Sequence, residues 1–590
     1  MIQRWRLVRP VLASLLLAAT FVATGCGGSE EAAAPAVEAP KAAAPAEAAA
    51  VAAPVPAALP AGAPATLTAL QLLPAEAQVG IAAPALNGVV ATLLALDARI
   101  EAIDLKAELD KAVEDLKKDA NAPDAQSLGD IAAAKGLSLD APMAVFADFS
   151  GTAASMAAAA AAAQAEGGAP MDDADVAPPA VAVVVGVSDQ AKAEAFIAEL
   201  VALDGELSGA PVGSENVGGI TVATRGDYAH FFAGNQLVVG VASLVKGAAA
   251  RVAAPATFRY GTPECPVTAQ DELVGVVYGN RMLPHLKALL AGTAAMDPGA
   301  KALAAGQLAM AEQALASASD EPMLVNLALS EKALNLTTRI DFASYPGMKE
   351  LSGEAAPLAL TQLLPVDTLA LVSLVLTDAF KNQVKTQVLP AAQESITDPG
   401  MAQGMSMANQ VLDMLGNEIA IGLAPVPNDF PAAFIMLSLS NPEPTKGLLQ
   451  MLVPMMPDEA LADYGISSVA APIPVPLSIA FEGNMVLVSN NVDGMKKIID
   501  LARAKSTSGL FAALQPPLDP SVPRYQALVL NTNLITDIVM PLMALAGGMD
   551  PETQPIVDAV GSVVREVRMV SEMDGNWNKG VLTVDLKDAA

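Results

Sequence analysis

The chain has 590 residues, with 33 Lys and Arg against 63 Asp and Glu, a net charge of −30. Hydrophobic residues make up 53 % and aromatics only 4 %, so the apolar content is mainly small and aliphatic, with 24 Met. This balance excludes a nucleic-acid binder that relies on a general basic field. Two Cys exclude a disulfide scaffold or a Cys-rich zinc module, and two His exclude a multi-His metal site within one chain.

The chain opens with Arg4, Arg6 and Arg9, then an apolar run from Val11 to Ala23 broken only by Ser14 and Thr20. This is a signal-peptide layout over residues 1–25, too short and wrongly flanked for a membrane span. Ala23-Thr24-Gly25-Cys26 resembles a bacterial lipobox, with Ala23 where Leu is commoner. That resemblance implies that Cys26 is acylated and becomes the mature N-terminus. The alternative is an ordinary secretory signal with Cys26 a bystander. Against it, Cys26 stands where the apolar run ends, and polar Gly27-Gly28-Ser29 follows directly. Loss of residues 1–25 removes three Arg and no acids, which leaves 30 basic against 63 acidic residues and a net charge of −33. Several acyl chains, at roughly 0.8 kcal/mol per buried methylene, make a stable anchor to the membrane. Gly27 rather than Asp follows the Cys; by resemblance to Gram-negative sorting rules this implies the outer membrane, facing the periplasm. No later apolar run reaches the length of about 18 residues that a span needs. The longest, 538–560, is broken by Pro541, Gly547, Gly548 and Asp550.

Residues 26–66 read as a tether, since 31–66 holds 19 Ala and 7 Pro and can form neither a core nor a continuous helix. At about 3.1 Å per residue, some 40 residues of such a spacer reach on the order of 120 Å. Beyond it the chain repeats. Gln71-Leu72-Leu73-Pro74-Ala75-Glu76 recurs as Gln362-Leu363-Leu364-Pro365-Val366-Asp367. Pro179-Ala180 before an apolar run recurs as Pro431-Ala432. Phe232-Ala233-Gly234-Asn235 recurs as Phe481-Glu482-Gly483-Asn484, and Asn280 after an apolar strand is matched with Asn531. These landmarks place one domain at 67–346 and a second at 357–590. The offset falls from 291 to 252 between the first two landmarks, so the first copy carries about 39 extra residues, assigned to a longer helix at 87–118 or to the segment 152–176.

Within a copy, a short strand follows Leu-Leu-Pro. A helix comes next, with Val89, Val90, Leu93, Leu94, Ile100 and Ile103 at helical spacing and Glu114 with Lys118 as an i,i+4 pair. Phe-x-Gly-Asn reads as a turn between two strands, because Gly and Asn tolerate positive φ. A helix at 492–504 and a closing strand at 581–586 follow. The expected fold class is α+β: two tandem related domains, each an antiparallel sheet with helices packed on one face and its own core, after a disordered tether. The Leu-Leu-Pro-x-Asp/Glu opening, the Pro-Ala strand and the Phe-x-Gly-Asn turn resemble a family of secreted bacterial proteins known only as a domain of unknown function. The resemblance covers most of 67–590 and is better in the second copy. It implies an envelope location and an α+β fold, and it carries no active site to transfer.

Chemistry is sparse. His230, in Tyr228-Ala229-His230-Phe231-Phe232, and His285, after Pro284, show no nucleophile or orienting carboxylate in sequence and read as structural. Cys265 has no partner once Cys26 is acylated, and reads as a buried or loop thiol rather than an intermolecular bridge. Ser243 and Lys246 have Ser-x-x-Lys spacing without the accompanying motifs of penicillin-binding enzymes, and read as chance. Asp172, Asp173 and Asp175 lack the spacing of a calcium loop. Met is the remaining signal: Met401, Met405, Met407 and Met414 on one helix, Met451, Met455 and Met456 on a second run, and Met540, Met543 and Met549 on a third. Flexible thioethers suit adaptable apolar surfaces. They suggest an apolar groove in the second copy built from Met401, Met405, Met451 and Met455, against the plainer reading of Met as core filler. The functional expectation is a lipid-anchored envelope protein that binds or scaffolds, with no catalytic residue, metal or cofactor. A carrier of a hydrophobic ligand such as lipid is the alternative. The expected partners are the membrane, through the acyl chains, and a lipid or an envelope protein.

Overall fold

The computed structural model describes residues 65–97, 124–155, 177–203, 209–260, 271–294, 311–315, 317–330, 332–388, 412–426, 431–452, 455–457, 459–469, 476–514, 516–532 and 562–587, with a few single positions between them. The signal segment, Cys26, the tether up to residue 64 and the acidic run at 172–175 lie outside the described residues.

The N-terminal half contributes β1 (Val79–Ala83), β2 (Leu137–Ser138), β3 (Met143–Asp148), β4 (Ala180–Val187), β5 (Val212–Val217), β6 (Ile220–Arg225), β7 (Tyr228–Ala233), β8 (Gln236–Val241), β9 (Asp271–Val277), β10 (Met323–Leu329) and β11 (Ala333–Asp341). The C-terminal half contributes β12 (Ala370–Val375), β13 (Leu415–Ala424), β14 (Ala432–Leu439), β15 (Met455–Pro457), β16 (Ser467–Val469), β17 (Leu477–Glu482), β18 (Met485–Ser489), β19 (Arg524–Asn531), β20 (Val564–Asp574) and β21 (Trp577–Leu586). All pair antiparallel in one continuous sheet. From one edge the order is β5-β6-β7-β8-β4-β3-β1-β9-β10-β11, then β21-β20-β19-β12-β13-β14-β18-β17-β16-β15. Among the described residues β5 and β15 each have one partner, so the sheet is open, and short β2 extends the ladder at the end of β4. The order read inward from either edge is the same in chain terms.

The registers run in step with the sequence landmarks. Val79, eight residues after Gln71, pairs with Ala147, which pairs with Val181. Ala370, eight residues after Gln362, pairs with Leu423, which pairs with Ala433. Val181 and Ala433 each lie two residues after their Pro landmark. Both stretches named for the extra length take a share of it. Val79 and Ala147 are 68 residues apart where Ala370 and Leu423 are 53 apart; Ala147 and Val181 are 34 apart where Leu423 and Ala433 are 10 apart. The fourth landmark shifts: Val79 pairs with Val277 and Ala370 with Leu530, so Asn531 stands level with Tyr278 rather than with Asn280.

The expectation of two separate sheets is corrected. β11 and β21 pair over nine residues, from Ala333 opposite Asp585 to Asp341 opposite Trp577, and fuse the halves. The physical reason is edge protection: each half alone would expose a long strand with unpaired N–H and C=O groups, and pairing the two removes both edges. The cores are also shared at the seam. Trp577 of β21 joins the N-terminal core, and Tyr525 and Met573 pack with Ile340, Phe342 and Tyr345.

Helices lie on both faces, not on one. In chain order they are α1 (Ala65–Leu70), α2 (Leu86–Asp97), α3 (Gln190–Leu203), α4 (Ala242–Ala253), α5 (Gly279–Ala294), α6 (Pro442–Leu452) and α7 (Val492–Ala504), with α1 and α4 on the inner face. Leu67 and Leu70 of α1 and Leu244, Val245 and Ala248 of α4 pack on Val184 and Val238. Ile197 and Val201 of α3 pack instead on Val185, Leu237 and Val239, the alternate residues of the same strands. Side chains alternate across a strand with period two, so these two sets are on opposite faces. The second half repeats this, with α7 in one core and Leu449 of α6 in the other. Strands such as Ala180–Val187 are apolar at both parities, and that requires cover on both sides.

Local chemistry sets the element boundaries. Asn491 caps α7 by accepting from the Gly494 N–H at 2.6 Å, and Lys505 ends it in the left-handed conformation at φ 50. Met495, Ile498 and Ile499 are its buried stripe, each contributing about 1.5–3 kcal/mol by leaving water. Gly234 and Gly483 turn the β7–β8 and β17–β18 hairpins at φ 59 and 56, a region a side chain would strain. In the N-terminal half Glu114 pairs with Lys117 at 2.7 Å; Lys118 lies outside the described residues.

Candidate apolar binding face

Between α5 and α6 the outer face of the sheet is apolar across its central strands. Leu327, Leu334, Leu336 and Leu582 form one cluster that crosses the β11–β21 seam. Further along the face Leu530, Ile421 and Ile435 are 37 %, 39 % and 41 % exposed. Ile421 is opposite both Val372 and Ile435, so these side chains form a contiguous cross-strand strip rather than scattered surface residues. On the N-terminal side the face dips into a shallow open depression lined by Val79, Ile81, Leu273, Val325, Leu327 and Leu336 around Gly275.

The depression has a local cause. Gly275 stands between Ile81 on β1 and Val325 on β10, and its missing side chain leaves a gap. A Cβ there would meet the Gly80 carbonyl at 3.4 Å, Ile81 Cγ1 at 3.6 Å and Val325 Cβ at 3.8 Å, which are ordinary contacts. Beneath it, on the inner face, Tyr260 is fully engaged. Its hydroxyl donates toward the Gly275 carbonyl at 2.5 Å and accepts from the Val325 N–H at 2.8 Å. Burial raises the Tyr260 pKa far above its ordinary value, so the hydroxyl stays protonated and pins β9 against β10. The arrangement offers an apolar surface with a fixed floor. Among the described residues its lining is aliphatic, with the chemistry to hold hydrocarbon.

The residues singled out in sequence are dispersed. Met401 and Met405 lie outside the described residues. Met451 is in the last turn of α6, and Met455 is on edge strand β15, packed with Leu437, Val469 and Phe481. His230 is on the outer face of β7, half-buried, and His285 is on α5 with its ring 5.0 Å from that of Phe149. Burial lowers the pKa of both, so both are neutral at pH 7. They sit on separate elements. Cys265 is completely buried in the inner core and in no disulfide. Lys246 pairs with Glu215 at 2.6 Å, tying α4 to edge strand β5, while Ser243 is exposed. Lys246 therefore ties two elements together, and Ser243 takes no part in that ion pair.

Gly275 and the aliphatic strip escaped sequence reasoning. Their signal was present: Asp271–Val277 and Met323–Leu329 are apolar at both parities, which marks strands with two apolar faces but not which face stays open. Glu418 escaped it as well. It is 4 % exposed on β13 and accepts from the Leu360 N–H at 2.9 Å, the Thr361 N–H at 3.0 Å and the Thr361 hydroxyl at 2.9 Å. Burial pushes its pKa up and the donated hydrogen bonds pull it partly back. It staples the second Gln-Leu-Leu-Pro segment to the sheet.

Among the described residues no helix is long and apolar enough to cross a membrane. No known family model matches the chain, and no curated protein matches it. A solved structure described as "Structure of crystal form I of TP0453" is similar over 74 % of this chain and 97 % of its own length, at 9 % identity and a TM-score of 0.16.

Proposed function

We propose that this chain is a lipid-anchored protein of the bacterial cell envelope that acts by binding. Cys26 carries the acyl chains, Gly27 directs the protein to the outer membrane facing the periplasm, and residues 26–66 hold the folded body off the bilayer. The body is a tandem duplication of one ten-strand unit. The matching strand order and the stepwise agreement of ladder pairs with the Leu-Leu-Pro and Pro-Ala landmarks support this.

The binding surface is the outer face of the sheet. One observation carries this reading: the aliphatic strip and the Gly275 depression form a single uninterrupted apolar surface, with Ile421 and Ile435 about two-fifths exposed. Contiguous exposed apolar area of this kind marks an interaction site. The preferred occupant is an acyl chain or similar hydrocarbon, because the depression is lined only by apolar side chains and is open to the surface. A protein partner on the same face is the second reading, favoured by the exposure of Ile421, Ile435 and Leu530 outside the depression.

The test is native mass spectrometry on residues 27–590 secreted behind a cleavable signal, followed by solvent extraction. A stoichiometric lipid that is lost in Gly275→Leu supports the hydrocarbon reading. An empty monomer refutes it and directs the search to protein partners.

A further inference from the structure

The ladders align four charged residues in one row across the inner face at the seam. Arg339 on β11 is directly opposite Lys579 on β21, Lys579 is opposite Glu572 on β20, and Glu572 is opposite Arg524 on β19. The row holds three cations and one carboxylate. Glu572 is shared: Lys579 Nζ is 3.2 Å from it and Arg524, almost fully buried, reaches it at 3.6 Å. The flanking charges are balanced in pairs, Arg259 with Asp341 and Arg568 with Glu566. The row thus carries an excess of two positive charges in a chain whose net charge is −30.

Arg339 is the anomaly. It is partly buried, its Nε is cut off from solvent, and among the described residues it has neither a carboxylate nor a hydrogen-bond acceptor. Its cross-strand neighbour is a second cation, Lys579, whose ion pair is with Glu572 on the far side. Like charges directly opposite on a sheet repel, and a buried Nε–H without an acceptor is costly. A second unsatisfied group lies beside it. Asn326 on β10 is opposite Thr337, two residues from Arg339 on the same face, and is 4 % exposed with its Oδ1 unpartnered. An amide without partners turns at no cost in hydrogen bonds, so it can present Nδ2 instead.

We infer that this row is a built site for a phosphate-type oxyanion, seated between the Arg339 guanidinium and the Lys579 ammonium with the Asn326 amide donating from the flank. The planar fork of Arg matches two oxygens of one phosphate, Lys supplies a point charge, and the anion removes the repulsion between them. The site is on the face opposite the apolar strip and does not depend on what that strip binds. The same chemistry is offered by free phosphate and by a phospholipid head group.

The experiment is calorimetric titration of the full mature chain in phosphate-free buffer at pH 7 and fixed ionic strength. One arm uses inorganic phosphate and the other a soluble short-chain phosphatidic acid. Saturable binding of inorganic phosphate assigns a free anion. Binding of the short-chain lipid alone assigns a head group. Arg339→Gln is expected to weaken binding at least tenfold and to raise the thermal midpoint without ligand, because it removes an uncompensated charge. Should it fail to fold, Lys579→Gln is read in the same titration and is expected to weaken binding likewise. Absence of saturable binding in both arms overturns the assignment, as does unchanged affinity in the folded variant.

Discussion

Gly80 and Gly275 are neighbours in the ladder but face opposite sides of the sheet, and substituting each by Ala should move stability in opposite directions. Gly80 is opposite Val276, and Ile81 is opposite Gly275. At Gly275 the new methyl enters the open depression at 3.4 Å or more from every neighbour. The remaining effect is the lower conformational entropy of the unfolded chain, a gain of about 0.4–1 kcal/mol. At Gly80 the same entropic gain applies, but the methyl would lie 2.7 Å from Leu73 Cδ1 and 3.2 Å from Leu70 Cδ1 in the inner core. Overpacking of this kind costs about 1–3 kcal/mol, which leaves a net loss of about 1 kcal/mol. The two variants should therefore differ by roughly 2 kcal/mol. Urea unfolding followed by tryptophan fluorescence reads this directly, since residues 27–590 contain one Trp, Trp577, buried at the seam. If Gly275→Ala destabilises by more than about 1 kcal/mol, or both variants shift with the same sign, the depression is not an open gap and the reasoning fails.

Three further outcomes are expected. Glu418→Gln should lose about 1–3 kcal/mol, because an NH2 group would face a backbone N–H that now donates to a carboxylate oxygen. The folded pKa of Glu418 is raised, so the native state binds the proton more readily than the unfolded chain; relative to the Gln variant, wild type should gain stability as pH falls from 7 toward the ordinary glutamate value. Parallel melts across that range test the sign. His285 carries a buried Nδ1 without a partner, so His285→Leu should gain about 1 kcal/mol at pH 7. The folded His285 pKa is lowered, so its stabilising share is present above pH 6.5 and lost as pH falls; the Leu variant should show a flatter profile below neutrality, and an identical slope would refute the burial. Cys265 should not react with an aromatic disulfide reagent in the native protein and should react on denaturation; rapid native labelling would contradict its complete burial.

How much was legible follows from how local each cause is. The helix at 492–504 was readable because its cap, apolar stripe and end all lie within 15 residues. The Gly-Asn turns were readable because two residues decide a hairpin turn. The α+β class followed from helix stripes and strand runs in one chain. The fusion of two halves was not legible, since nothing in 333–341 or 577–586 names the other as its partner. Helices on both faces were missed although strands apolar at both parities carried the signal. The depression was missed because Gly275 in Leu273-Val274-Gly275-Val276-Val277 looks like a gap in a buried strand, and only the register sets it between Ile81 and Val325.

The sequence alone determined the elements, their caps and turns, and the repeated landmarks, because those depend on residues a few positions apart. Only the tertiary structure decided which strands became neighbours at the seam, which face of the sheet carries the half-exposed strip of Ile421, Ile435 and Leu530, and that Arg339 would stand opposite Lys579 rather than opposite an acid. Cross-strand register acts between residues that the chain keeps far apart, and a shift of one residue would have sent each of these side chains to the other face.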